Sequence, residues 1–133
     1  MNDNTLLIMK YIKPILAADE SLQAAMDVNK IYPLVANEGT SYPFIIYSRD
    51  SITPEYTKGL YGGWTNNLTF TIHVYSNDYE QSIIIANIVR NALEWRQIQN
   101  EDIKVNQIEL ISAYEQYNED GYHQALTFQV NAT

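Results

Sequence analysis

His73 and His123 are the whole imidazole complement of the chain, and with Glu109 they form a set of side chains whose types could hold a divalent metal ion. Both histidines fall in stretches that read as β-strands, out of phase with the apolar Ile72 and Leu126. If those strands are neighbours, the two rings approach each other and Glu109. The plainer reading competes with this one, because two imidazoles without cysteine or clustered aspartate are more often polar residues on a solvated or interfacial sheet face. Nucleophilic chemistry has less support. Ser48, Ser51 and Ser82 lie in no G-x-S-x-G elbow, and none is near a histidine in sequence. Glu109 and Glu115 could act as paired carboxylates, but acids on a solvated strand are the simpler cause. The run GLYGGW, residues 59–64, is rich in glycine yet has no Lys-Ser/Thr after it. It leads into a strand, so it has no helix N-terminus to offer a phosphate and reads as a turn.

The chain bounds its own possibilities. Its 133 residues, 46% of them hydrophobic, suffice for one ordinary core, so a single domain over residues 1–133 is expected. The longest aliphatic run, IIIANIV from Ile83 to Val89, is far short of a bilayer span, and MNDN lacks the basic start of a secretory signal. A soluble protein made in the cytoplasm, without a membrane partner, is expected. There is no cysteine, which removes disulfides and thiolate metal sites. Sixteen acids against eight Lys and Arg give a net charge of −8, which repels phosphate backbones and argues against direct nucleic-acid binding. The imbalance is uneven: from Val105 onward there is no Lys or Arg, while Glu109, Glu115, Glu119 and Asp120 are all acidic.

The periodicity predicts the elements that would carry these residues. NTLLIMKYIKPILAA reads as an amphipathic helix with Asn4 as its cap, kinked or re-capped at Pro14, whose ring crowds the carbonyl of Lys10. A short helix follows behind the cap Asp19, reaching Met26. Ile31 to Val35 and Pro43 to Ser48 read as strands at an edge or at a strand beginning, because each carries a proline. In Tyr32-Pro33 and Tyr42-Pro43 the proline fixes its own φ and pushes the tyrosine toward extended geometry, so each pair is a stiff corner beside the loop ANEGTS. Ser51 to Asn67 is predicted as a long hairpin arm or exposed loop. LTFTIHVY alternates strictly, with Leu68, Phe70, Ile72 and Val74 on one face and Thr69, Thr71, His73 and Tyr75 on the other. Asp78 to Trp95 is the long helix, entered through Asn77 as cap with Glu80 behind it. Its polar residues Glu80, Asn87, Asn91 and Glu94 form one narrow stripe, and the rest is so apolar that other elements or another subunit must cover it. Two antiparallel strands joined at NEDG close the chain, with a bulge near Asn106-Gln107 where the apolar phase changes. The fold class is therefore α+β: a mostly antiparallel sheet of about four to five strands, one long helix packed on it, and an N-terminal helical region.

Tyrosine is over-represented, eleven residues against three Phe and two Trp. Tyrosine joins a large contact area to a polar tip and is enriched at protein interfaces, although it is equally a good strand former. Three features recur in a fixed order: Ile31-Tyr32-Pro33 after a short helical region, Tyr42-Pro43 opening the aliphatic strand FIIY, and Tyr75-Ser76 running into the helix Asp78 to Leu93. In that order and spacing, over nearly the whole chain, the sequence resembles the tail-completion (tail-terminator) proteins of long-tailed bacteriophages and prophages. FQVNAT at the end lacks a terminal aromatic often seen in the family.

The resemblance implies a structural, non-catalytic protein without cofactor. It implies a homo-oligomeric ring, a hexamer, at the head-proximal end of the tail tube, with the tail-tube protein and a head-tail connector protein as partners. The location implied is the host bacterial cytoplasm during assembly and the virion tail afterwards. Within that reading Tyr32, Pro33, Tyr42, Pro43, Tyr56, Tyr61 and Trp64 are the expected contacts between subunits. Two rivals remain: a stand-alone ligand-binding α+β domain whose apolar helix lines a pocket, and a small metal-dependent enzyme using His73, His123 and Glu109.

Overall fold

The computed structural model describes residues 4–56, 64–101, 103–119 and 121–132, with backbone alone at 54–56, 64–66 and 131–132. Tyr61 lies outside them, and so do the side chains of Tyr56 and Trp64.

Alternation in the central strands decides the architecture. The strands are β1 (Ile31–Pro33), β2 (Phe44–Tyr56), β3 (Trp64–Ser76), β4 (Ile98–Gln99), β5 (Lys104–Asn118) and β6 (Gly121–Ala132). They form one six-stranded sheet in the order β1-β2-β3-β6-β5-β4, antiparallel throughout except for the parallel pair β1 and β2. This corrects the expected four to five strands. The two-residue β4 is too short to show a period in sequence, and it exists by pairing with Lys104 and Val105. Of the two readings of Ser51 to Asn67, the hairpin arm holds for the described residues: β2 runs to Tyr56 and β3 starts at Trp64, paired residue by residue.

Leu68, Phe70, Ile72 and Val74 of β3 and Phe128 and Val130 of β6 are buried, and the Phe70 and Phe128 rings stack at 5.3 Å. Against them packs α3 (Tyr79–Leu93), burying Ile85, Ala86, Val89, Ala92 and Leu93. The helix ends two residues short of Trp95, which takes φ +67° beyond its end. Its cap is Asp78, not Asn77, with no side-chain capping bond. Glu80, Asn87 and Asn91 point to solvent as the polar stripe predicts, yet Ile83 and Ile84 beside them stay exposed too.

Pro14 shapes the N-terminal region. Thr5–Tyr11 is a 3-10 helix, and α1 (Ile12–Ala17) begins just before the proline. Pro14 thereby sits in the first turn of a helix, where its missing N–H removes no intrahelical bond. α2 (Glu20–Ala25) starts behind Asp19, whose carboxylate accepts from the Leu22 amide at 3.0 Å. Ile8, Ile12, Leu16 and Leu22 carry these short helices into the common core. The ladder between β5 and β6 shifts register between Val105 and Ile108, as the apolar phase predicts, and again between Leu110 and Ser112.

Candidate functional site

The sheet face turned away from α3 carries the polar half of the alternation, and its side chains form a connected ladder. Ser51 and Thr69 bond through their hydroxyls at 2.8 Å. One step along, Thr71 donates to the Asp50 carboxylate and meets the Thr127 hydroxyl at 3.0 Å. Next, His73 Nδ1 and His123 Nε2 lie 2.8 Å apart. The face then becomes aromatic: the His123 ring stacks on Tyr75 at 4.5 Å, Tyr75 on Phe44 at 4.9 Å, and Phe44 on Tyr42 at 5.6 Å. Tyr114 closes the side, its ring set edge-on to His123.

Adjacency of β3 and β6 brings the two imidazoles together. Their electrostatics oppose charge. Burial lowers the pKa of His73, with Asp50 pulling weakly the other way, and burial lowers that of His123, with the neighbouring His73 adding to the effect. The pair is thus neutral at pH 7, one ring donating its N–H and the other accepting. Burial also raises the pKa of Tyr75, which keeps its phenol neutral.

Glu109 does not join them. It pairs across the ladder with Gln129 and accepts from the Gln107 amide, whereas His123 sits opposite Gln116 at the other end of β5. No group of three His, Asp or Glu side chains able to hold a metal occurs among the described residues. The serines are engaged elsewhere: Ser51 with Thr69, and the buried Ser82 donating to the Tyr79 carbonyl and accepting from Gln124. Glu115 lies on the helix side, accepting from the Tyr79 hydroxyl at 3.0 Å and from Gln124 at 2.9 Å, six residues along the strand from Glu109. Among the described residues no nucleophile, base and orienting acid converge, and these groups present surfaces for contact and hydrogen bonding.

The expected contact residues divide between two places. Tyr32 is half-buried and Pro33 exposed on β1, the edge strand, consistent with a residue that has no N–H for a ladder. Tyr42 and Pro43 are half-buried, and the Tyr42 ring lies over Gly121, where a Cβ would come 2.4 Å from its hydroxyl. Glycine at the head of β6 is what admits that ring.

Sequence reasoning missed Leu34 and Val35. Leu34 has φ +65°, its amide bonds to the Tyr47 carbonyl at 2.9 Å, and the Val35 amide reaches back to the Pro33 carbonyl at 2.7 Å. This is a γ-turn of the strained hand, centred on leucine. It leaves Leu34 74% and Val35 72% exposed. No glycine or asparagine marks the turn in sequence, so there was no signal to find. An open depression on the helical side mixes apolar Tyr11, Pro14, Ile15 and Ala18 with polar and charged Asp19, Glu20, Ser21 and Arg96.

Comparison with known proteins fits this binding character. The family model described as "Tail completion protein gp17" matches residues 11–133. No curated protein matches the sequence. Among solved structures, a chain of the "Virion of native gene transfer agent (GTA) particle" superposes with a TM-score of 0.72 at 17% identity, covering 91% of this chain and 90% of that one. At that identity the likeness establishes the fold. No helix among the described residues is long and apolar enough to cross a membrane.

Proposed function

The chain belongs to the tail completion protein gp17 family, structural proteins of the phage virion tail, and on that premise we propose that identical copies form a ring that ends the tail tube and joins it to the head. The carrying observation is the family match from residue 11 to 133, which takes in every strand and α3 and leaves out only the first residues. The whole chain then acts as one unit, a hexamer on the tail, with the tail-tube protein on one side and a head-tail connector on the other, assembled in the host cytoplasm.

The proposal assigns no reaction to the chain. Its support is the pattern of exposed apolar residues: Leu34, Val35, Ile83, Ile84, Ile111, Tyr114 and Tyr117 remain in solvent in one copy. They fall in three groups, Leu34 with Val35, Ile83 with Ile84 on α3, and Ile111 to Tyr117 on β5, and the proposal takes these as its contacts with other proteins. Tyr32 and Pro33, next to Leu34, belong to that contact, and the arm bearing Tyr56, Tyr61 and Trp64 is assigned to it with Tyr42 and Pro43.

Deleting the gene from a phage or prophage that carries it tests this. The expected result is filled heads and separate tails of uncontrolled length, restored by the gene in trans, with labelled protein at the head-proximal end of the tube by electron microscopy. Joined particles with tails of normal length in its absence would overturn the assignment.

A further inference from the structure

Three rows of paired residues link the two outer edges of the sheet at one height. Ile31 pairs with Ile45, and the row continues through Val74 and Gln124 to Glu115. Tyr32 leads through Ile46, His73 and Ala125 to Tyr114, and Pro33 through Tyr47, Ile72 and Leu126 to Ala113. Leu34 follows one step on, beside the row of Ser48, Thr71, Thr127 and Ser112, at the bulge that holds Ile111. β1 and the Ile111–Tyr117 half of β5 are therefore level, on opposite edges. They also run in opposite directions, because β1 is parallel to β2 and each later step across the sheet is antiparallel.

Both edges are unfinished. β4 covers β5 only at Lys104 and Val105, and past the bond from the Trp95 amide to the Ile108 carbonyl no strand among the described residues lies beside the outer side of β5. That stretch, ELISAYEQYN, has neither the proline nor the lysine that usually guards an edge, and it exposes Ile111 by 50% and Tyr117 by 60%. The opposite edge exposes Leu34 and Val35 on a strained turn that serves no core contact.

We propose that these two edges meet between copies, the Tyr32–Val35 edge of one against the Ile111–Tyr117 edge of the next, antiparallel and head to tail. The inference rests on the ring reading, since a ring closes by rotation without a shift along its axis, and level edges meet under such a rotation about an axis parallel to the strands. Different surfaces on the two sides give a heterologous contact, the kind that builds rings.

The chain has no cysteine, so single cysteines report the contact cleanly. Leu34→Cys and Ile111→Cys proteins, mixed and oxidised with oxidised glutathione, should give the mixed disulfide dimer well above either like-with-like dimer. Tyr32→Cys with Tyr114→Cys should behave likewise, and a protein carrying both Leu34→Cys and Ile111→Cys should give a ladder of linked species ending at one size. Random yields of the three dimers, or no linkage, overturn the proposal. Repeating the oxidation on purified tails separates it from the ring itself: several copies per tail without the mixed link would sink this contact alone, and a single copy per tail would sink the ring.

Discussion

His73 Nδ1 and His123 Nε2 stand 2.8 Å apart across the β3–β6 ladder, two neutral imidazoles sharing one proton donor beneath the Tyr75 ring. Burial holds both pKa values below the usual imidazole value, so unfolding would let the rings take up protons that the fold denies them.

The sign of the pH dependence follows. A histidine with a depressed folded pKa contributes its full share above the unfolded value of about 6.5, and stability falls as pH drops below that, down to the folded pKa. Thermal unfolding followed from pH 7.5 to 5 should show the midpoint dropping in the wild type and dropping less in a His73→Gln/His123→Gln variant. Equal slopes would mean that other groups dominate.

The Phe70–Phe128 pair is the second test. Both rings are fully buried and stacked at 5.3 Å in the layer beneath α3. Phe70→Ala or Phe128→Ala should each cost about 3–5 kcal/mol in denaturant unfolding. The double variant should cost less than the two together by about 0.5–1.5 kcal/mol, the coupling of an aromatic pair.

How far the sequence reached depended on where burial imposes a period. Leu68 to Val74 face one side because one side is core, and the same logic gave α3 and the shift near Asn106. The outer half of β2 was left between hairpin arm and loop: Ser51 to Tyr56 mixes hydroxyls, Glu55 and Pro54 without a period, and pairing with β3 is what keeps it extended. The approach of His73 to His123 followed only on the condition that β3 and β6 are neighbours, and nothing in either strand stated it. Glu109 fell away because register along β5, a long-range quantity, set it opposite Gln129.

Gly121 and Tyr42 make a prediction that composition alone would reverse. Alanine in place of a strand glycine normally stabilises by roughly 0.5–1 kcal/mol. Here the new methyl would meet the Tyr42 hydroxyl at 2.4 Å and Cζ at 2.8 Å, and the ring is backed by Phe44. Gly121→Ala should therefore destabilise by about 1–3 kcal/mol, as overpacking does. In a Tyr42→Ala background the same change should be neutral or favourable. A double-mutant cycle by chemical denaturation decides it, and additive effects would show that the ring swings aside freely.

Leu34 separates folding from assembly. At φ +65° leucine stores backbone strain that glycine does not, while its side chain is three-quarters in solvent and adds little to the core. Removing the side chain trades relief of strain against the greater freedom of an unfolded glycine, so Leu34→Gly should leave unfolding free energy within about 1 kcal/mol of wild type. Leu34→Val, β-branched and poorly tolerant of positive φ, should lose about 1–3 kcal/mol with the apolar surface largely kept. Assembly should respond in the opposite order: Leu34→Gly folds normally but fails to restore joined particles to a deletion phage, and Leu34→Val restores them at temperatures where it is folded. If Leu34→Gly restored particles fully, the exposed leucine would have no part in joining copies, and its strained turn would be a feature of the monomer alone.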